Sequence, residues 1–127
     1  MISHLMLGAN DPVASAAFYE AALGPLGYKR AFEMAGRVGF SSGEGTPPVI
    51  VGKPGDGGDA SFGNGTMIGF RGADPATVQK AHAAGLAAGG TDEGAPGPRP
   101  LGPPGTYAAY LRDPSGNKIG FFCTVAS

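Results

Sequence analysis

A chain of 127 residues with 42% hydrophobic residues and a formal net charge of -1 is sized for one domain with its own core and excludes two ordinary domains. Its nine basic residues are scattered, only Lys29 and Arg30 being adjacent, which gives no electrostatic footprint for nucleic acid or an anionic membrane, and one cysteine, Cys123, excludes an intramolecular disulfide. The 24 glycines and 12 prolines are many, but the apolar fraction and low charge are those of a folding chain, so glycine is expected in turns and close backbone contacts.

The N-terminal "MISHLMLG" lacks the basic flank and long apolar stretch of a signal peptide, and no run is long enough to span a membrane. A soluble cytoplasmic protein is expected. Residues 2–8 read as a strand, and Asp11-Pro12 then supplies a helix cap and a first-turn proline. The spacing of Ala14, Ala17, Phe18 and Ala21 predicts the buried helix face, and Gly24 and Gly27 end the helix. Three strands are expected at about 28–34, 37–41 and 48–52, with turn residues from Gly43 to Pro48.

Glycine-rich residues, about 53–64, read as a linker. Residues 66–71 then repeat the strand, Asp74-Pro75 repeats the cap, and Ala81, Ala84, Gly85 and Ala88 outline a second small-residue helix face before Gly89 and Gly90. His82, in mid-helix, is expected at the surface or half-buried. Strands follow at about 91–94, 106–112 and 117–124, with a loop from Pro96 to Gly105 and a tight turn at "DPSGN".

The two halves are one pattern written twice. Residues 3–27 superimpose without a gap on residues 66–90, bringing Asp11-Pro12 onto Asp74-Pro75, Leu23 onto Leu86 and Gly27 onto Gly90. The fold class is α+β, two tandem β-α-β-β-β modules in one domain over 1–127, with module one at about 1–52 and module two at about 65–127.

This repeat, with "DPVASAAFYEAALGPLGY", "GTMIGFRGADP" and the final "YLRDPSGNKIGFF", resembles the glyoxalase, bleomycin-resistance and extradiol-dioxygenase superfamily, also called vicinal oxygen chelate. The resemblance covers nearly the whole chain. It implies paired modules curling around a cavity, commonly in a homodimer, and a divalent metal held there by a histidine or Gln in each first strand and a carboxylate or histidine in each last strand.

Matched residue by residue, the ligand set is mostly missing. His4 stands at the first position, Met67 where a second histidine would be, and Gly120 where a Glu usually follows the isoleucine; Ile50, Val51 and Gly52 offer no donor at the fourth. Hard and borderline divalent ions need several oxygen or imidazole donors, and one thioether is a poor substitute. No cofactor is expected.

Strand alternation places Lys118, Gly120 and Phe122 on one face and Ile119, Phe121 and Cys123 on the other. Tyr110 is the position at which fosfomycin-resistance-type members carry a cavity tyrosine, and Ala108 and Arg112 share its side. The expected pocket comprises His4, Met6, Met67, Arg71, Tyr110, Lys118 and Phe122, joined by Arg37 or Phe40, a lining that suits a small aromatic or amphipathic ligand. Were the protein an enzyme, His4 would be the base and Tyr110 the donor to an oxyanion. Arg99, in the proline-rich loop, could meet an anionic ligand.

"GFSSG" (39–43) matches the G-x-S-x-G of serine hydrolases, but the "EGTPP" after it cannot start the helix that motif needs. Three classes of function remain: a metal-free binder of a small organic molecule, a metal-dependent lyase of the lactoylglutathione-lyase kind or a dioxygenase with an atypical site, and a vestigial pocket serving oligomeric contact.

Overall fold

The computed structural model describes residues 1–125. Module one runs β1 (Leu5–Gly8), α1 (Pro12–Leu23), a 3-10 turn (Gly24–Leu26), β2 (Lys29–Met34), β3 (Arg37–Ser41) and β4 (Val49–Gly52). Module two runs β5 (Ile68–Arg71), α2 (Pro75–Ala87), β6 (Thr91–Pro98), β7 (Thr106–Arg112) and β8 (Lys118–Thr124). Each forms a four-stranded sheet, in the orders β1-β4-β3-β2 and β5-β8-β7-β6. The first strand of each module pairs parallel with the last, and the other pairings are antiparallel.

The aspartates start the helices as their spacing predicts. The Asp11 side chain accepts the Ala14 amide at 3.2 Å and that of Asp74 the Thr77 amide at 2.8 Å, with Pro12 and Pro75 each opening the helix where a missing N–H costs nothing. The Thr77 bonds also hold the Asp74 carboxyl below its usual range.

Both helices and one face of each sheet share a single core. Phe18, Tyr19, Leu23, Phe40, Leu111, Ile119 and Phe121 are its largest fully buried side chains. Glycine at position 85 of α2 lets the helices approach, because a Cβ there would collide with Leu111 and stand 3.2 Å from the Phe18 ring. The β7–β8 turn is tied to module one: Asn117 Nδ2 donates to the Gly8 carbonyl at 2.9 Å, and the Asn10 amide donates to Ser115 Oγ at 3.0 Å.

Four expectations are corrected. The buried face of α1 is Ser15, Phe18, Tyr19 and Ala22 with Ala16 and Leu23, while Ala17 is exposed; a helix so rich in alanine shows no contrast from which to read its inward stripe. Phe40 is fully buried against the helices, on the face of β3 opposite Arg37. His82 is buried, its Nε2 2.9 Å from Asp92 Oδ1, and that bond leads the causes holding the Asp92 carboxyl below its usual range. β6 continues through Pro96 and Pro98, residues that composition assigns to loop; as an edge strand with register shifts it tolerates residues that donate no ladder hydrogen bond.

Candidate functional site: an aromatic and basic pocket on module two

Alternation along β8 sends Ile119, Phe121 and Cys123 into the core and leaves Lys118, Gly120 and Phe122 on the opposite face. Cross-strand register adds the rest: Tyr110 lies opposite Gly120, Arg112 opposite Lys118, and Arg71 of β5 beside Phe122. Side chains paired across strands share a face, so these groups converge.

Two glycines shape this surface. The Phe122 ring lies across Gly120 and Gly69, where an added Cβ would stand 2.6 Å and 2.9 Å from ring atom Cε1. The ring can cover the sheet only because neither neighbour carries a side chain. Tyr110 meets Phe122 edge to face, with centroids 5.6 Å apart and planes at 81°, a favourable quadrupole arrangement.

Cations surround the pair. Arg99 Cζ is 5.3 Å and Lys118 Nζ 5.2 Å from the Tyr110 centroid. Arg99 is itself fixed by backbone carbonyls, donating to Ala95 at 2.6 Å, Gly97 at 2.9 Å and Pro98 at 3.2 Å. The ion pairs among the described residues are Arg30–Glu20, His82–Asp92 and Arg112–Glu93, so Arg71, Arg99 and Lys118 are not neutralised by a carboxylate.

The result is a pocket of about 600 Å³ lined by Arg71, Arg99, Leu101, Thr106, Tyr110 and Phe122, with no acidic residue in its wall. That volume suits a small organic ligand. The loop after β6 forms one rim, and Arg99 also borders a second pocket of about 500 Å³ beneath the loop's prolines. A groove of about 640 Å³ bordered by Leu5 and Tyr28 of module one and Ile68 and Phe70 of module two also includes Arg71 in its lining.

Of the residues expected in the site, Arg71, Tyr110 and Phe122 line this pocket and Lys118 stands beside it. His4, Met6 and Arg37 belong to module one and do not line it. His4 precedes β1, is exposed, and has its Nδ1 2.8 Å from Ser3 Oγ. Met6 and Met67 are 42% and 41% exposed. Leu101, in the loop, and Thr106, which opens β7, also line the pocket; composition marks the loop but not which surface it borders. Burial pushes the Cys123 thiol up, as expected of a core residue. β3 is followed by a turn rather than a helix, so Ser41 is not on a nucleophile elbow.

The model of the Glyoxalase/Bleomycin resistance protein/Dioxygenase superfamily matches residues 1–121. The chain belongs to this superfamily. Among solved structures, it is similar to a glyoxalase/bleomycin resistance protein from Albidiferax ferrireducens T118, with 39% identity, a TM-score of 0.86, and 96% of this chain and 97% of that one covered. It shares the fold of a glyoxalase-related enzyme from Fulvimarina pelagi at 18% identity and TM-score 0.76, covering 96% of this chain and 86% of that one. It likewise shares the fold of a lactoylglutathione lyase from Agrobacterium tumefaciens at 22% identity and TM-score 0.67, covering 96% and 92%. A comparison with curated proteins returned no match.

The superfamily resemblance implies a divalent metal, and at the matched positions this chain supplies one imidazole, His4, with Met67 and Gly120 at two others. Among the described residues no three His, Cys, Asp or Glu side chains are grouped to share an ion. At the position that would carry a Glu, Gly120 lies under the Phe122 ring. No helix among the described residues is long and apolar enough to cross a membrane.

Proposed function

We propose that the protein binds a small organic molecule in the pocket on module two without a divalent metal, either sequestering it or transforming it. The observation that carries this reading is the Phe122 ring lying across Gly69 and Gly120, which puts an apolar surface where a metal-dependent relative would need a carboxylate. Tyr110 and Phe122 supply apolar contact area, and Arg71 and Arg99 supply polar contacts that fix orientation.

Any chemistry in this pocket would be done by its own groups. Tyr110 can donate to a developing oxyanion, with the nearby cations favouring negative charge there. His4 stands outside the pocket and would join it only if a second copy brought module one across. The exposed Met6, Phe32 and Met34 on module one support a homodimer as part of this reading.

Elemental analysis of protein purified without chelators, combined with a thermal-shift screen of small organic compounds, tests the proposal. Less than about 0.1 metal ion per chain, with a ligand-induced rise in Tm that Phe122→Ala abolishes, is the expected result; binding at [L] = 100 Kd would stabilise by about 2.7 kcal/mol. One equivalent of Zn, Mn, Ni or Fe per chain, lost on His4→Ala, would restore the metal-dependent lyase or dioxygenase reading.

A further inference from the structure

We infer that the ligand of this pocket is a planar aromatic carboxylate, its ring stacked on Phe122 and its carboxylate held by Arg71. The inference rests on the proposed binding function and adds the chemical class of the ligand.

The two arginines of the wall are in different states. Arg99 spends guanidinium donors on three backbone carbonyls and lies against the Tyr110 ring, so it is a fixed part of the wall. Arg71 is exposed at the end of β5 and enters no ion pair or side-chain hydrogen bond among the described residues. Its planar fork of five N–H donors is open to a bidentate acceptor, the geometry in which Arg binds carboxylate best. Arg71 stands beside Phe122 in the strand register, so one short molecule can touch both.

Charge points the same way. Arg71 and Arg99 line the pocket, Lys118 lies behind Tyr110, and the wall contains no carboxylate. A cationic ligand would meet like charge on several sides, and a neutral one would leave Arg71 to solvent. Aromaticity follows from the floor: the Phe122 ring lies along the sheet over two glycines, and Tyr110 stands edge-on beside it as a side wall. A flat ring fits between floor and loop better than a puckered one of equal size.

The probes are 2-naphthoate, its neutral isostere 2-naphthamide, and cyclohexanecarboxylate, titrated calorimetrically into wild-type protein and an Arg71→Gln variant. The expected result is naphthoate binding at least tenfold tighter than either other compound. Arg71→Gln should remove that advantage while leaving the amide unchanged, and salt should weaken the acid far more than the amide. Equal binding of acid and amide, both weakened by Phe122→Ala, would overturn the inference yet leave the pocket reading intact. Failure of all three probes to bind would also overturn it; the pocket reading would fall separately, only if the wider compound screen raised no Tm.

Discussion

The Tyr19 hydroxyl of α1 donates to Asp113 Oδ2 at 2.6 Å, joining the first helix of module one to the last turn of module two. Asp113 is 3% exposed, and its carboxylate also accepts from Asn117 Nδ2 at 2.8 Å and from the amides of Ser115 and Asn117 at 2.8 and 2.9 Å. A buried anion persists because these donors replace water. Tyr19→Phe removes one of them while preserving the ring, and should cost about 1.5–3 kcal/mol, the range for a hydrogen bond to a charged group. Urea denaturation checks this; an unchanged midpoint would mean that the contact adds nothing.

The same pair makes a pH prediction. Burial, then the Asp113 charge, then the hydrogen bond push the Tyr19 hydroxyl well above its usual 10.0. The unfolded chain releases this proton near pH 10 whereas the folded chain retains it. The stability gained by burying the neutral phenol is therefore complete below pH 10 and is lost as pH rises beyond it. Wild-type protein should lose stability more steeply than Tyr19→Phe above pH 10, and the two should run parallel at lower pH.

Ser15 is the opposite case, a fully buried hydroxyl in α1 whose oxygen has no hydrogen-bond partner. An unsatisfied buried polar group costs about 1–3 kcal/mol, and Ala is the better helix former. Ser15→Ala should raise stability by about 1 kcal/mol or more. A loss of stability on thermal or chemical unfolding would mean that a buried water satisfies the hydroxyl.

At Gly85, helix propensity and packing oppose each other. Alanine in a helix interior is favoured over glycine by about 1 kcal/mol. Here its methyl group would enter space held by Leu111 and Phe18, both fully buried, and overpacking a tight core costs about 1–3 kcal/mol. Gly85→Ala should therefore destabilise by up to about 2 kcal/mol. Denaturant unfolding checks this; a gain would show that the helices have slack.

These positions also mark what the sequence discloses. The repeat, the Asp-Pro caps and the last two strands are legible because each rests on local chemistry: a cap needs an oxygen and a proline needs no N–H, wherever the chain lies. Alternation assigned Lys118 and Phe122 to one face and Ile119 and Phe121 to the other, because β8 is paired along its whole length. His4 precedes β1 and so has no strand partner to fix its side, although it is exposed like Met6, two residues on, with Leu7 buried. Arg99 is brought over the Tyr110 ring by a loop whose path follows from tertiary contacts, including the Arg99 amide bonded to the Thr106 carbonyl at 2.9 Å. The stacking of Phe122 on two glycines needs knowledge of register across β5 and β8, two strands far apart in sequence.

That stacking makes a sign-changing prediction. A methyl group at position 120 would stand 2.6 Å from the Phe122 ring, closer than real contacts allow, and 3.1 Å from Tyr110, a tight but attainable contact, so Gly120→Ala must lift the Phe122 ring off the sheet. With Phe122 present the substitution should destabilise, since crowding of about 1–3 kcal/mol exceeds the roughly 0.5–1 kcal/mol by which alanine is favoured over glycine within a strand. In a Phe122→Ala background the crowding with Phe122 is gone, leaving only the looser contact with Tyr110, and the same substitution should be neutral or slightly stabilising. The two positions should therefore show a coupling of at least about 1 kcal/mol in a double-mutant cycle measured by chemical denaturation. If Gly120→Ala cost the same in both backgrounds, the ring would not be lying across the glycine. The floor assigned to the ligand would then be lost with it.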